Sequence, residues 1–344
     1  MRILVTGGTG FLASHLMPAL QKRGHIVSAL VLPGSETREL ERAGVEVHTG
    51  DVRELEALAP VMRGADAVFH LAAAIGVRRP ISDYHAINVA GTENVCLAAI
   101  TASVQRVVHV STTSVYKQGL GVPAREDFPL MPLPDPYPRT KAAGDTLVQR
   151  MIATQQLPAS IARICTVFGP GDRLNFGRIA DRLLAGKGIV IGSGMNRVPF
   201  AYVDDVVQGL ILVLEHEQAE GQIYNIADDR PLTQSELIQA IADQLGTSMP
   251  HIHVPFAALY NAAFAAECVA KFTHNPQALV TRFGVTLYGG DNCVSIDKAR
   301  HDLGYAPQVP LSQGVSLAAA WYRDVHGAQG PDGYEARHLS GVSR

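Results

Sequence analysis

The stretch Arg2-Ile3-Leu4-Val5-Thr6-Gly7-Gly8-Thr9-Gly10-Phe11-Leu12-Ala13 limits the fold more than any other part of the chain. A short apolar run ends in glycines, and "FLASHLMPALQKRG" follows with apolar residues at helical spacing up to Gly24. Strand, turn and helix are thereby set in order. Gly8-Thr9-Gly10-Phe11-Leu12-Ala13 fits the G-x-G-x-x-G/A pattern and lies between the first strand and first helix, where that pattern must lie to hold a dinucleotide. Glycine permits a tight turn and lets the backbone approach a pyrophosphate. The helix starting near Phe11 aims unpaired N–H groups and its positive dipole end at the phosphates. Gly7, Gly8, Thr9, Gly10, Phe11 and Leu12 are the candidate cofactor contacts of this turn.

Further apolar runs, "HIVSALVL", "VEVHTGD", "ADAVFHLAAA" and "VQRVVHVSTTS", alternate with helical patterns such as "NVAGTENVCLAAITA". Such alternation predicts an α/β fold with a doubly wound parallel Rossmann sheet. Around Val167 the composition turns loop-like, and "GKGIVIGSGMNRVPFAYVDDVV" brings short strand-like pieces between glycines. A Rossmann domain over 1–165 is expected, with 202–222 returning to it. A smaller, interleaved C-terminal substrate lobe is expected over 166–201 and 223–325. Residues 326–344 are polar and without period, and read as a flexible tail.

The chain has 344 residues, 47% of them hydrophobic, enough for a large core. Its net charge of -3 with 18% charged residues offers no broad basic face for nucleic acid, so a small-molecule substrate is the expected partner. Four scattered cysteines, Cys96, Cys165, Cys268 and Cys293, form no CxxC or zinc-like cluster and suit a reducing, cytoplasmic compartment. The thirteen histidines show no HExxH spacing, so no catalytic metal is expected. The opening apolar run is too short for a signal peptide, and no apolar stretch reaches the length of a membrane span.

About 20 residues past the turn, where an NAD site often carries an acid, stand Leu30, Val31 and Leu32. The first acid is Glu36, and Arg38 follows in the same loop, where a guanidinium suits a 2'-phosphate. This favours NADP over NAD, although Arg38 also reads as an ordinary solvated loop residue. Asp51 is a candidate acceptor for the adenine amino group or, equally, a plain loop acid.

"YPRTK" places Tyr137 and Lys141 four residues apart, on one face of a helix. A phenol is a poor acid-base group at its usual pKa of about 10, and a neighbouring ammonium favours the phenolate and brings the value towards neutrality. Upstream, "HVSTTSVY" presents Ser111, Thr112 and Thr113 at the carboxyl edge of the sheet, where open parallel sheets bind ligands.

"TGGTGFLAS", "GDV", "HLAA", "NVAGTENV", "VSTTSVY", "YPRTK" and "VFGPGD" occur in an order that resembles the extended short-chain dehydrogenase/reductase superfamily, also described as the NAD-dependent epimerase/dehydratase family. The resemblance covers most of the chain. It implies Tyr137 as catalytic acid/base, Lys141 as holding the nicotinamide ribose and lowering the tyrosine pKa, and Thr112 as binding the reacting oxygen, with Ser111 as the fallback. It also implies cofactor contacts at Leu32, Asp51, Val52, Leu71, Ala72 and Ala73, and a homodimer through sheet-flanking helices. Ala13 departs from the usual third glycine by one methyl. Thr113 and Ser114 replace the Asp-Glu pair of the sugar-nucleotide dehydratases, which argues against dehydration. "VPFAALYNAAFAAECVAKF" and "SIDKARHDLGYAPQVPLSQGV" are similar to the 3-beta-hydroxysteroid-dehydrogenase-like branch.

Substrate contacts are expected at Ile75, Ser111, Thr113, Arg163, Arg197 and Tyr202. The arginines would hold a diphosphate or, equally, pair with Asp204 or Asp205 across the lobes. Arg78 and Arg79 are further candidates for an anionic group. The helix over 256–272, with Glu267 and Lys271 at i,i+4, covers the substrate lobe as core, or lines a hydrophobic pocket or touches a membrane surface. The predicted activity is hydride transfer between NADP or NAD and a secondary alcohol or ketone on a sterol-like or keto-acyl substrate. A sugar-nucleotide epimerase with tightly held NAD is the first alternative, and a non-catalytic nucleotide sensor the second.

Overall fold

The computed structural model describes residues 1–76, 80–230, 232–272 and 280–327. The first half runs β1 (Arg2–Thr6), α1 (Phe11–Lys22), β2 (Ile26–Val31), α2 (Arg38–Arg42), β3 (Glu46–Thr49), α3 (Leu55–Met62), β4 (Ala67–His70) and α4 (Ile81–His85). A π-helical segment, Ala86–Gly91, leads into α5 (Thr92–Thr101), followed by β5 (Arg106–Thr112), α6 (Pro136–Gln155) and β6 (Ala159–Ile164). The remainder is β7 (Thr166–Phe168), α7 (Phe176–Leu184), β8 (Val190–Ile191), β9 (Phe200–Tyr202), α8 (Val203–Glu215), β10 (Ile223–Ile226), α9 (Gln234–Leu245), β11 (His253–Val254), α10 (Phe256–Phe272), α11 (Arg282–Gly289), α12 (Asp297–Leu303) and α13 (Leu311–Gly327).

The main sheet has seven strands in the order β10-β6-β5-β4-β1-β2-β3, and all its pairings are parallel. The doubly wound sheet read from the alternating pattern is present. Ile3 and Val5 pack with Leu16 and Leu20 of α1 and Leu210 of α8, while Leu4 packs with Leu58 of α3, Val95 of α5 and Val148 of α6. Both faces of β1 are therefore dry, which is why its sequence is an unbroken apolar run. The order reverses between β1 and β4, and loops at such a switch point open a crevice at the carboxyl ends of the strands.

α8 packs on β5 and β6, and β10 joins the main sheet beside β6. Ile223–Ile226 thereby extends the sheet by one strand. Two small parallel pairs, β7-β9 and β8-β11, and helices α9 to α11 build the outer lobe. The helix expected across "NVAGTENV" begins as a π turn, in which Asn88 reaches out of the helix to Ala74 and Thr140. Of the expected tail, residues 328–344 lie outside the described residues.

Candidate active site

The glycine turn closes on itself and on the neighbouring loop. Gly7 and Gly8 both donate to the Leu30 carbonyl, at 3.0 and 3.1 Å. Gly7 has a φ of +72°, and a Cβ there would lie 3.0 Å from the Ala72 backbone. Only glycine lets the β1 and β4 loops meet this closely. Gly10 caps α1 without a side chain, so the amides of Phe11, Leu12 and Ala13 keep no capping partner from the N-cap. A bare first turn behind a backbone cradle fits a pyrophosphate. Ala13 is buried in the core, so its methyl is accommodated. Ala72 N–H donates to Thr6 Oγ1, and Ala74 is clamped by Asn88 at both its N–H and its carbonyl, which fixes the Leu71-Ala72-Ala73 edge.

Around the end of β2 the expected contacts are placed but engaged. Leu32 is half exposed just beyond the strand. Arg38 opens α2 instead of lying in a loop, and its guanidinium is paired with Glu36 at 2.9 and 3.0 Å. That contact holds the Glu36 carboxyl down at about 2. Asp51 is buried, and Arg53 takes both its oxygens through the backbone N–H and the guanidinium. Val52 is core, against Gly91.

Thr112, Tyr137 and Lys141 are brought together. β5 ends at Thr112, whose Oγ1 accepts from Ser114 N–H and starts a single 3-10 turn, Thr113–Val115. Asp135 caps α6 by accepting from the Tyr137 N–H at 3.0 Å, which seats Tyr137 in the first turn. Tyr137 is half-buried and faces Thr112, whose hydroxyl favours the phenolate, yet burial wins and pushes Tyr137 up to about 12. Lys141 is buried, donates to the Val110 carbonyl at 2.7 Å, and is lowered to about 8 by the same cost of desolvation. The expectation that Lys141 draws the Tyr137 pKa towards neutrality is corrected. The ammonium is turned to a strand carbonyl, and losing water penalises both charged forms.

The substrate candidates divide. Ser111 donates to Asp145 Oδ2 at 2.7 Å beneath the sheet, so of the two candidate hydroxyls only Thr112 faces Tyr137. Arg163 does not border the cleft. It is 1% exposed and donates to both oxygens of Asp145 at 2.9 Å, to the Tyr116 hydroxyl and to the Glu126 carbonyl. Arg197 pairs with Asp291 at 2.7 and 2.8 Å and with the Gly121 carbonyl. Neither arginine meets Asp204 or Asp205. Asp204 faces His15, and Asp205 accepts from the amides of Gln308 and Val309. Tyr202 is buried and packs its ring against Phe168. Thr113 is buried, and Ile75 is exposed. Arg78 and Arg79 lie outside the described residues.

Sequence reasoning passed over Asn88, Asp145 and Phe283. Asp145 continues the four-residue spacing of Tyr137 and Lys141, a signal that was available. Phe283 had none, and its ring lies 6.2 Å from that of Tyr137. Glu267, spaced to reach Lys271, is taken instead by Arg282 of α11. Among the described residues no three His, Cys, Asp or Glu side chains are grouped to hold a metal ion, and no helix is long and apolar enough to cross a membrane.

Beside the parallel Rossmann sheet, the glycine cradle at its switch point and the Thr-Tyr-Lys group, residues 3–227 match the NAD dependent epimerase/dehydratase family. The chain belongs to that family. The 2-alkyl-3-oxoalkanoate reductase of Stenotrophomonas maltophilia (strain K279a) is 32% identical to this family member over 333 residues, covering 92% of this chain and 97% of the relative. The 3-beta-hydroxysteroid dehydrogenase of Mycolicibacterium neoaurum is 30% identical over 338 residues, covering 94% and 92%. The solved structure of gox2253 superposes with a TM-score of 0.80 at 29% identity, covering 94% of this chain and 98% of that one. The resemblance read from the motifs is borne out in both family and branch.

Proposed function

We propose that this epimerase/dehydratase family member is an oxidoreductase that moves a hydride between a nicotinamide and a carbon bearing a secondary alcohol or ketone on a hydrophobic substrate. The observation that carries the reading is the Thr112-Tyr137-Lys141 group, set at the carboxyl edge of the sheet beside the glycine cradle and flanked by an apolar ring, Phe283. The bound nicotinamide supplies or accepts the hydride. In the reductive direction Tyr137 donates its proton to the developing alkoxide, and Thr112 holds that oxygen by a hydrogen bond. Lys141, one turn along α6 from Tyr137 and held by the Val110 carbonyl, would hold the nicotinamide ribose. The relatives named above act, by their names, on a 3-oxoalkanoate and on a 3-beta-hydroxysteroid, both hydrophobic and both oxygenated at a secondary carbon.

The epimerase alternative needs a cation for the substrate diphosphate. Of the arginines expected to hold it, Arg163 and Arg197 are neutralised by Asp145 and Asp291, while Arg78 and Arg79 lie outside the described residues. Support for NADP over NAD is that β2 ends at Val31 with no free carboxylate behind it, since Glu36 is bound to Arg38. A cytoplasmic homodimer with lobes divided near residue 166 completes the reading, supported by the four unbridged cysteines and by the family resemblance.

Tyr137→Phe tests the assignment. It is expected to lower kcat by at least about a hundredfold, the usual contribution of a general acid, while leaving the affinity for the dinucleotide within a few-fold of wild type. Near-normal turnover in the variant would remove Tyr137 from the mechanism.

A further inference from the structure

We propose that Phe283 sets how much bulk a substrate can carry on the side of its carbonyl that faces α11. The inference rests on the oxidoreductase reading above and names a property of that same site. The Phe283 ring stands 6.2 Å from the Tyr137 ring with the planes at 54°, beside the group that moves the proton. Both side chains are half-buried, so neither ring is sealed into the core.

The helix that carries the ring is held at both ends. At the start of α11, Thr281 Oγ1 accepts from the Gly284 N–H at 3.1 Å. Arg282 donates its backbone N–H to Glu267 of α10 at 2.7 Å and its Nε to the same carboxylate at 2.8 Å. Its guanidinium also lies 4.8 Å over the Phe264 ring. At the far end, Asn292 donates to the Thr286 and Leu287 carbonyls, and Asn196 donates to the Tyr288 carbonyl. Moving α11 away from Tyr137 would therefore break the Arg282–Glu267 clasp or the asparagine anchors. With its backbone held, the Phe283 side chain stays next to Tyr137, and a substrate must fit beside it.

A flat or unbranched flank slides along an aromatic face, whereas a branch next to the carbonyl meets it. A single extra carbon in such a wall is worth about 10–200-fold in kcat/KM. Phe283 thus acts on selectivity between ketones and leaves the proton chemistry to Tyr137.

The test is a matched pair of long-chain ketones, one with a methyl and one with an isopropyl group on the carbonyl, turned over by the full chain with NADPH and with NADH. Wild type is expected to prefer the methyl ketone by about tenfold or more. Phe283→Ala should shrink that preference by about tenfold, and Phe283→Trp should widen it. Phe283→Leu keeps much of the apolar volume and should move the ratio the same way as alanine, which covers the case of an unstable alanine variant. A ratio unchanged within about twofold across active variants overturns the role of Phe283 while leaving the oxidoreductase reading intact. Wild-type inactivity towards both ketones and their alcohols overturns both.

Discussion

Replacing Arg163 with alanine separates a ligand-binding arginine from one that holds the fold. Arg163 is 1% exposed and makes four hydrogen bonds: two to Asp145, one to the Tyr116 hydroxyl and one to the Glu126 carbonyl. Its loss leaves the wholly buried Asp145 with Ser111 and Gln149 as donors and, in place of a contacting cation, only the more distant charge of Lys141. Removing one partner of a buried ion pair costs about 3–5 kcal/mol, a large share of the roughly 5–15 kcal/mol that holds a folded protein. At about 2 °C per kcal/mol for a chain of this size, the midpoint of thermal unfolding should fall by about 6–10 °C. Circular dichroism melts on wild type, Arg163→Ala and the double variant Arg163→Met/Asp145→Leu measure this directly. The double variant should recover at least half of the loss, because neither member of the pair is then left buried without the other. An Arg163→Ala protein that melts with wild type and loses only substrate affinity would refute the argument and return Arg163 to the cleft.

Gly144→Ala puts a Cβ about 2.5 Å from the Asn88 carbonyl oxygen, a backbone atom that cannot step aside. Overpacking of about 1–3 kcal/mol, set against a gain of about 1 kcal/mol in helix propensity, predicts a lower melting midpoint; a higher one would show that α6 is free to shift. His70, lowered by burial to about 3, and His109, lowered well below the usual imidazole value by burial, are neutral in the folded chain. Below about pH 6.5 the unfolded chain binds protons that the folded one refuses, so stability falls as pH falls, by up to about 2.7 kcal/mol per pH unit for the two groups. Urea midpoints at pH 7 and pH 5 check this, and a flat profile contradicts it. Arg38→Ala should raise the KM for NADPH by about tenfold and leave that for NADH unchanged; equal effects on both would show that no 2'-phosphate is read there.

The parts of this protein legible in its sequence are those decided within a few residues of chain. The glycine turn, the alternation that makes a parallel sheet, and the shared face of Tyr137 and Lys141 all follow from local backbone geometry and from periods of two and 3.6 residues. Partnership across the fold is of another kind. A buried charge must find a counterion, yet its residue type does not say which. Arg163 chose Asp145 and Arg197 chose Asp291, where the lobe boundary had suggested Asp204 or Asp205. Phe283 carries no local mark of its place beside Tyr137, since only the packing of α10 and α11 brings it there. The protonation of the reacting pair was likewise decided by burial. Spacing foresaw an ammonium next to a phenol, but the desolvation that raises Tyr137 and lowers Lys141 exists only once the sheet, α6 and the outer lobe have closed around them.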